Sequence, residues 1–368
     1  MSERTKIALV FGGKSSEHGI SCLTAASVLG AIDRERFDIV AVGISKSGRW
    51  SRMSLEEVAD LHITGDATPE VPEPEHDAVW LVGEHGGQVA TRVGDQLVDV
   101  QEVDVVFAPL HGPYGEDGTI QGLLEMAEVR YVGCGVASSA VSMDKHLTKV
   151  VLAGAGIDVG RWELITPLQW EADQGACLER AAALGFPVFV KPCRAGSSVG
   201  ISKVESREGL AVAVKEAQNH DPRVIVEAGV VGREVECGVL GGRSDWRSAT
   251  APLGEIEVPD GEFYDYEHKY VDDVVGLVCP AEVAPAYEER VRETALRAFD
   301  ALECEGLARV DFFLDEDSGT VLVNEVNTMP GFTPISMFPQ MWAAAGVDYP
   351  SLIDALLEEA AARTVGLR

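Results

Sequence analysis

Leu322-Val323-Asn324-Glu325-Val326-Asn327-Thr328-Met329-Pro330-Gly331-Phe332 follows Arg309-Val310-Asp311-Phe312-Phe313-Leu314 after a polar turn, Asp315-Glu316-Asp317-Ser318-Gly319. The two runs read as neighbouring strands of a hairpin. A turn that closes symmetrically sets Arg309 opposite Glu325 and Asp311 opposite Val323. Period-two alternation then places Arg309, Asp311, Glu325 and Asn327 on one face, and Val310, Phe312, Leu314, Leu322 and Val326 on the other. Two carboxylates and an amide oxygen on one rigid surface are hard ligands suited to Mg²⁺. An arginine beside them can meet phosphate or a developing oxyanion. A salt-bridged, solvated strand face has the same alternation, and one bulge would split the set between two faces.

The rest of the chain sets the frame for this hairpin. Its 368 residues exceed one ordinary core, so two or three domains are expected. No apolar run reaches membrane-spanning length. A formal net charge of −30 excludes broad, backbone-driven nucleic-acid binding and adsorption to anionic membranes. Any phosphate site must therefore be built from a few local cations. Seven cysteines show no C-x-x-C pair and no clustering with histidine, which argues against zinc. The odd count, with no export signal before the strand-like Ile7-Ala8-Leu9-Val10-Phe11, favours reduced thiols in the cytoplasm.

The first third alternates strands and helices: a strand at 7–11, a helix near 21–31, strands at 39–44 and 103–109, and a helix from about 120 to 127. Such alternation implies a mainly parallel sheet with ligands at the carboxyl ends of its strands. The proline-rich, acidic stretch 66–77 reads as a surface loop, and the pieces near 79–82 and 97–100 as a small antiparallel insertion. A helix is expected over 137–153. Strand 187–192, a glycine-rich loop at 194–200 and strand 201–204 form a clasp that can lie over phosphates. Amphipathic spacing predicts helices around Tyr287–Leu302 and Leu352–Ala360. The irregular stretch between Pro259 and Pro280 has the length of a binding loop or lid.

No Walker-type G-x-x-x-x-G-K-[ST] occurs, so an ATP site here is not a P-loop. Gly133-Cys134-Gly135-Val136-Ala137-Ser138 approximates a dinucleotide fingerprint but reads as a domain junction. Lys191 closes a strand ahead of Pro192 and the glycine loop, where its ammonium and the loop N–H groups can meet phosphate. Lys145 is a second such cation, although either lysine taken alone reads more readily as an exposed surface residue. Glu227 and Glu234 suit an amino group and ribose hydroxyls, or are solvated carboxylates of an acidic chain. Gly12-Gly13-Lys14-Ser15-Ser16-Glu17-His18 follows the first strand, a position made for ligand contact. In His111-Gly112-Pro113-Tyr114-Gly115-Glu116-Asp117-Gly118, the two carboxylates also read as caps of the next helix.

Together, His111-Gly112-x-x-Gly115-Glu116-Asp117-Gly118-x-x-Gln121-Gly122, Lys191-Pro192 with Gly196-Ser197-Ser198-Val199-Gly200, Arg309-Val310-Asp311 and Glu325-Val326-Asn327-Thr328-x-Pro330-Gly331 resemble the D-alanine–D-alanine ligases of the ATP-grasp superfamily. The resemblance implies an α/β fold, α+β in its C-terminal part, in three domains. These are a parallel α/β domain at 1–133, a central domain at 134–226 and a C-terminal domain at 227–368 with a lid loop at 259–281. Nucleotide would lie between the last two. It also implies ATP-dependent joining of two D-alanines through an acyl phosphate, for peptidoglycan precursors. Two Mg²⁺ ions (or Mn²⁺ in their place), a homodimer, and no nucleic-acid or membrane partner belong to the same expectation.

Carried over by position, Asp311, Glu325 and Asn327 match the family's metal ligands. Arg309 and the Gly331 amide match the groups that steady the phosphoryl group and the oxyanion. Lys145, Lys191 and Lys269 match the lysines on ATP phosphates; Glu227 and Glu234 match the adenine and ribose acceptors, with Val230 near the base. Glu17 matches the holder of the first D-alanine's ammonium, with His111 beside its carboxylate. Ser197 and Tyr270 match the pair that, with Glu17, links the loops over that substrate, and Ser336 the serine at the second carboxylate. Ala195 replaces a glutamate common in the family, and Pro334-Ile335 ahead of Ser336 departs from the usual second pocket. Relatives that join D-alanine to D-lactate or D-serine are the nearest alternative; Lys269-Tyr270 speaks against lactate. A silent nucleotide-binding protein on the same fold, or another ATP-grasp carboxylate–amine ligase, would be expected to lack part of this set.

Overall fold

The computed structural model describes residues 4–65, 67–82, 87–196, 199–241, 247–249 (backbone alone), 252–257 and 276–366. Ser197, Lys269, Tyr270 and positions 259–275 of the expected lid loop lie outside the described residues.

The chain opens with β1 (Thr5–Gly12), α1 (His18–Ala31), β2 (Phe37–Ile44), β3 (Trp50–Met53) and α2 (Leu55–Ala59). A short insertion, β4 (Asp77–Leu81), β5 (Gln88–Val93) and β6 (Gln96–Glu102), forms an antiparallel sheet of its own. Next come β7 (Val105–Phe107), α3 (Thr119–Met126) and β8 (Arg130–Tyr131). The first sheet has the order β3-β2-β1-β7-β8, parallel except for the edge strand β3. Both faces of β1 are covered, as a parallel sheet requires. Ile7, Leu9 and Phe11 pack with α1 and with C-terminal residues such as Phe332 and Leu356, whereas Ala8 and Val10 join Ile120 and Leu124 on the other side.

The expected helix over 137–153 is two helices, α4 (Val136–Met143) and α5 (Lys145–Gly154), broken at Asp144. Asp144 adopts an extended backbone, and its carboxylate accepts from the N–H groups of His146 and Leu147. A capping carboxylate that also pairs with Arg223 explains the break, since it supplies the new helix's unsatisfied donors.

β9 (Trp162–Ile165), α6 (Pro167–Ala172), α7 (Gln174–Ala182), β10 (Val188–Pro192), β11 (Ser202–Val204), α8 (Arg207–Gln218) and β12 (Val224–Ala228) make the middle of the molecule. Their antiparallel sheet, β11-β10-β12-β9, buries Val188, Val190, Val224 and Val226 against α7 and α8. The glycine loop between β10 and β11 is pinned at its base, where Arg194 makes side-chain bonds of 2.8 and 3.0 Å to the buried Asp221. The boundary expected after residue 226 falls inside β12, and the next sheet begins at Arg233.

The last part contains β13 (Arg233–Gly241), β14 (Arg247–Ala249), β15 (Gly254–Glu257), β16 (Gly276–Val278), α9 (Pro285–Ala301), β17 (Gly306–Asp315), β18 (Thr320–Asn327), α10 (Met337–Ala344) and α11 (Tyr349–Ala362). The path β16-β15-β13-β17-β18, with β14 beside β13, packs its apolar face on α9. β17 and β18 are the expected hairpin in a different register. Arg309 pairs with Asn327 and Asp311 with Glu325, and the ladder then slips between Asp311 and Phe312. Asn324 is the extra residue of this bulge. Beyond it the apolar face is filled by Val321 and Val323, while Leu322, expected there, is only half-buried. One inserted residue reverses the faces of everything past it.

Candidate active site

The loop after β1 is held open by glycine. Gly12 has φ +91°, and a Cβ there would lie 2.3 Å from the Ile44 carbonyl oxygen. Ser21 Oγ accepts from the Gly12 N–H and donates to the Pro109 carbonyl, and Ser15 Oγ donates to the His111 carbonyl. The loops after β1 and β7 are therefore tied to each other. Glu17 projects between them: a Cβ on Gly112 would sit 2.8 Å from Glu17 Oε2, and one on Gly196 of the glycine loop 3.2 Å from it. Only a bare backbone lets a carboxylate approach so closely on both sides.

Two further groups join these loops to the turn after β18. His111 Nδ1 lies 3.0 Å from the Met329 carbonyl oxygen. That oxygen can only accept, so Nδ1 carries the proton and Nε2 is left as an acceptor. Nε2 is buried and has no hydrogen-bond partner among the described residues. Burial holds the imidazole below its ordinary pKa, against the pull of Glu17 and the Met329 bond. Glu116 accepts from the N–H groups of Gly112 (2.8 Å) and Met329 (3.0 Å). Burial and the nearby Glu17 push its carboxyl up to about 8. Of the two carboxylates read as caps, Asp117 binds N–H groups of its own turn, those of Tyr114 and Thr119, whereas Glu116 joins that turn to Met329. Glu116 bridges distant segments, a role with no local signal.

The hairpin face carries the expected set. Arg309 grips Asp311 through two bonds of 2.8 Å, and Asn327 Nδ2 donates to Asp311 Oδ2 at 2.8 Å. Glu325, directly across from Asp311, shares the face. Glu236 completes it, 3.2 Å from Arg309 and paired with Asp311 from the other side. Burial works against the arginine's charge, but Asp311 and Glu236 outweigh it and raise its pKa well above the ordinary value. Glu236 was not among the expected residues, although the alternation Glu234-Val235-Glu236-Cys237 signals it. Gly331 and Ser336, in the segment after β18, come together, with a Cβ on Gly331 falling 3.1 Å from Ser336 Oγ. That hydroxyl accepts from the Thr333 N–H.

Two lysines stand within electrostatic reach of Glu325 on the hairpin face. Lys145 Nζ donates to the Ala195 carbonyl at 2.8 Å, at the root of the glycine loop. Burial lowers its pKa, and Glu325 acts in the opposite sense. Lys191 Nζ is 2.7 Å from Glu227 Oε2; against burial, Glu227 and Glu325 raise it. Glu227 is itself buried, and Lys149 reaches its other oxygen at 3.1 Å. Despite burial, these two lysines pull the Glu227 carboxyl down to about 2. Lys149 also went unassigned by sequence; its one trace is the four-residue spacing from Lys145, which stacks both on one helix face. Val230 lies half-exposed between β12 and β13, and Glu234 sits two residues along β13 from Glu236.

The donor set on the hairpin fits hard cations. Two carboxylates and an amide are too few to enclose an ion, as suits Mg²⁺, which keeps water and phosphate oxygens as ligands. Among the described residues no cluster of three or more His, Cys, Asp or Glu forms a closed metal cage. A cavity of about 330 Å³ lined by Arg4, Lys6, Glu102, Asp104 and Arg130 lies at the start of β1, at the opposite end of that strand from Gly12. No described helix is long and apolar enough to cross a membrane.

Comparison with known proteins meets this geometry. Family models described as "D-ala D-ala ligase N-terminus" and "D-ala D-ala ligase C-terminus" match residues 6–134 and 151–358. A D-alanine–D-alanine ligase of Pseudarthrobacter chlorophenolicus is 52% identical, covering 99% of this chain and 96% of that protein. One of Kineococcus radiotolerans is 50% identical, covering 99% of both. Among solved structures, the D-alanine-D-alanine ligase of Coxiella burnetii superposes with a TM-score of 0.82 at 32% identity over 98% of this chain and 94% of that one. A D-Ala:D-Ser ligase of Enterococcus faecalis superposes with a TM-score of 0.84 at 34% identity over 97% of this chain and 100% of that one. With an ATP-grasp architecture and full-length similarity at half identity, the chain belongs to the D-alanine–D-alanine ligase family.

Proposed function

We propose that the protein joins two D-alanine molecules into D-alanyl-D-alanine with consumption of ATP, supplying peptidoglycan precursors. Glu17 carries this reading: its carboxylate stands where three glycine-bearing loops converge, suited to the ammonium of a small amino acid. In the first step a carboxylate oxygen of the first D-alanine bonds to the γ-phosphorus as the β,γ-bridging P–O bond breaks and ADP leaves. In the second, the amine of the other D-alanine bonds to the acyl carbon. The tetrahedral intermediate expels phosphate, which takes the amine's proton. Positioning and charge dispersal are the protein's main contributions.

Glu17 holds the first ammonium, and His111 offers Nε2 beside that substrate. Arg309 keeps its charge whatever the pH and, with the Gly331 N–H, steadies the oxyanion. Lys145, Lys191 and Lys269 meet the phosphates, Glu227, Glu234 and Val230 the adenosine, and Ser336 the second carboxylate. Ser197, Tyr270 and the 259–281 loop close over the first substrate and exclude water from the acyl phosphate. Asp311, Glu325 and Asn327 would hold two Mg²⁺ ions, with Mn²⁺ as a substitute. Such ions, when bound, neutralise phosphate charge during transfer. The three-part division at 1–133, 134–226 and 227–368, the homodimer and the cytoplasmic location belong to the same reading.

A panel of D-alanine, D-serine and D-lactate with ATP and Mg²⁺ tests it. D-Alanine alone is expected to release phosphate and form the dipeptide. Faster turnover with D-serine or D-lactate as second substrate would overturn the assignment. Relatives near 50% identity carry the D-alanine–D-alanine name, so the mixed-substrate alternative is not favoured.

A further inference from the structure

Lys149 is buried to 3% exposure, yet it has no part in the proposed chemistry. It lies one turn beyond Lys145 on α5, so both ammoniums leave the same helix face. Lys145 turns to the glycine loop; Lys149 turns to Glu227 Oε1, while Lys191 holds Oε2. The base end of the pocket is close by. A Cβ on Gly160 would lie 3.6 Å from Val230 Cγ2 and 3.9 Å from Lys149 Nζ, so these groups wall one small space. A buried ammonium is costly unless paired, and this one is paired with the acceptor assigned to the adenine amino group.

The two lysines are not equivalent. Lys191 belongs to the phosphates in the proposed reaction, and a triphosphate competes with Glu227 for its ammonium. Lys149 has no such competitor. When nucleotide draws on Lys191, Lys149 alone keeps Glu227 charged in a dry site. An ionised carboxylate only accepts hydrogen bonds; a protonated one also donates. An accepting wall pairs with a 6-amino purine and repels a 6-oxo purine, and such a polar mismatch is what allows strong discrimination.

We propose that Lys149 is a specificity-determining positioning residue, holding Glu227 as an ionised acceptor so that the nucleotide pocket takes 6-amino rather than 6-oxo purines. This rests on the reading of Glu227 as the adenine acceptor. The test compares Lys149→Met, Lys149→Gln and Lys149→Arg in the full chain. Binding of ATP and of inosine triphosphate is measured by calorimetry without D-alanine, followed by kinetics with both nucleotides. Lys149→Met is expected to weaken ATP about tenfold and to shrink the ATP-to-inosine-triphosphate preference by about the same factor. Its kcat at saturating ATP and its KM for D-alanine should stay within about twofold of wild type. Lys149→Arg should retain the preference. A folded Lys149→Met with an undiminished preference overturns the proposal. If that variant does not fold, Lys149→Gln, which keeps a donor but no charge, decides by the same ratio. Calorimetry without D-alanine separates this outcome from failure of the ligase reading, which would appear as wild-type protein that binds ATP but forms no dipeptide.

Discussion

At the scale of single residues, Glu116 shows how a side chain acquires a role from surroundings it cannot announce. Its sequence neighbours present it as a helix cap, but the folded chain spends both its oxygens on backbone N–H groups from two segments. With its carboxyl raised to about 8, the folded state keeps a proton that the unfolded chain gives up above its ordinary value of 4.5. Between those values the native state binds more protons, so this group's contribution to stability falls as pH rises and levels off beyond about 8. Glu116→Gln removes that slope. In urea unfolding, the advantage of wild type over the variant should therefore be larger near about pH 6 than near about pH 8.5. A difference independent of pH would mean the carboxyl is not held protonated. Arg309, Asp311, Glu325 and Asn327 were legible beforehand because they depend only on alternation within one hairpin.

At the scale of elements, the hairpin's composition is local but its register is not. The Val323 N–H donates to the Asp158 carbonyl, and Val159 bridges to Val323 on the outer edge of β18. That remote segment lies next to the Asn324 bulge, and no pattern within 309–327 reports it. The bulge reverses which residues face inward: Val323 is buried at 1%, and Leu322 lies on the other face, opposite Phe313. Substitution separates the two readings. Leu322→Thr should change unfolding free energy by no more than about 0.5 kcal/mol, whereas Val323→Thr, which buries a hydroxyl, should cost about 1.5 kcal/mol or more. The opposite ranking would restore the regular ladder. The ligand face survived the error because the true pairing on the far side of the bulge is displaced by two residues, and a shift of two leaves faces unchanged.

At the scale of the whole molecule, the first sheet and the C-terminal helices share one core, which joins residues as distant as Phe11 and Leu357. Arg363, just past α11, locks this closure. Its guanidinium donates to the carbonyls of Tyr131 (3.1 Å) and Gly133 (2.6 Å), and its own carbonyl accepts from Arg130. Arg363→Met leaves those inward-facing carbonyls without their donor. It is expected to lower unfolding free energy by about 3 kcal/mol, read from the urea midpoint. A loss below about 0.5 kcal/mol, the ordinary range for surface changes, would show that the core alone closes the chain.

The sequence by itself determined the alternating first sheet, the glycine loop, the amphipathic helices and the hairpin face, because each is written in spacing that spans a few residues. It also carried enough ordered motifs to place the chain in its family. Only tertiary structure decided the bulge at Asn324, the helix break at Asp144, the Glu116 bridge to Met329 and the pairing of Lys149 with Glu227. Each of these satisfies a polar group with a partner dozens to hundreds of positions away or from another sheet. Hydrogen bonding and charge neutralisation act through space, and their partners leave no mark on local periodicity.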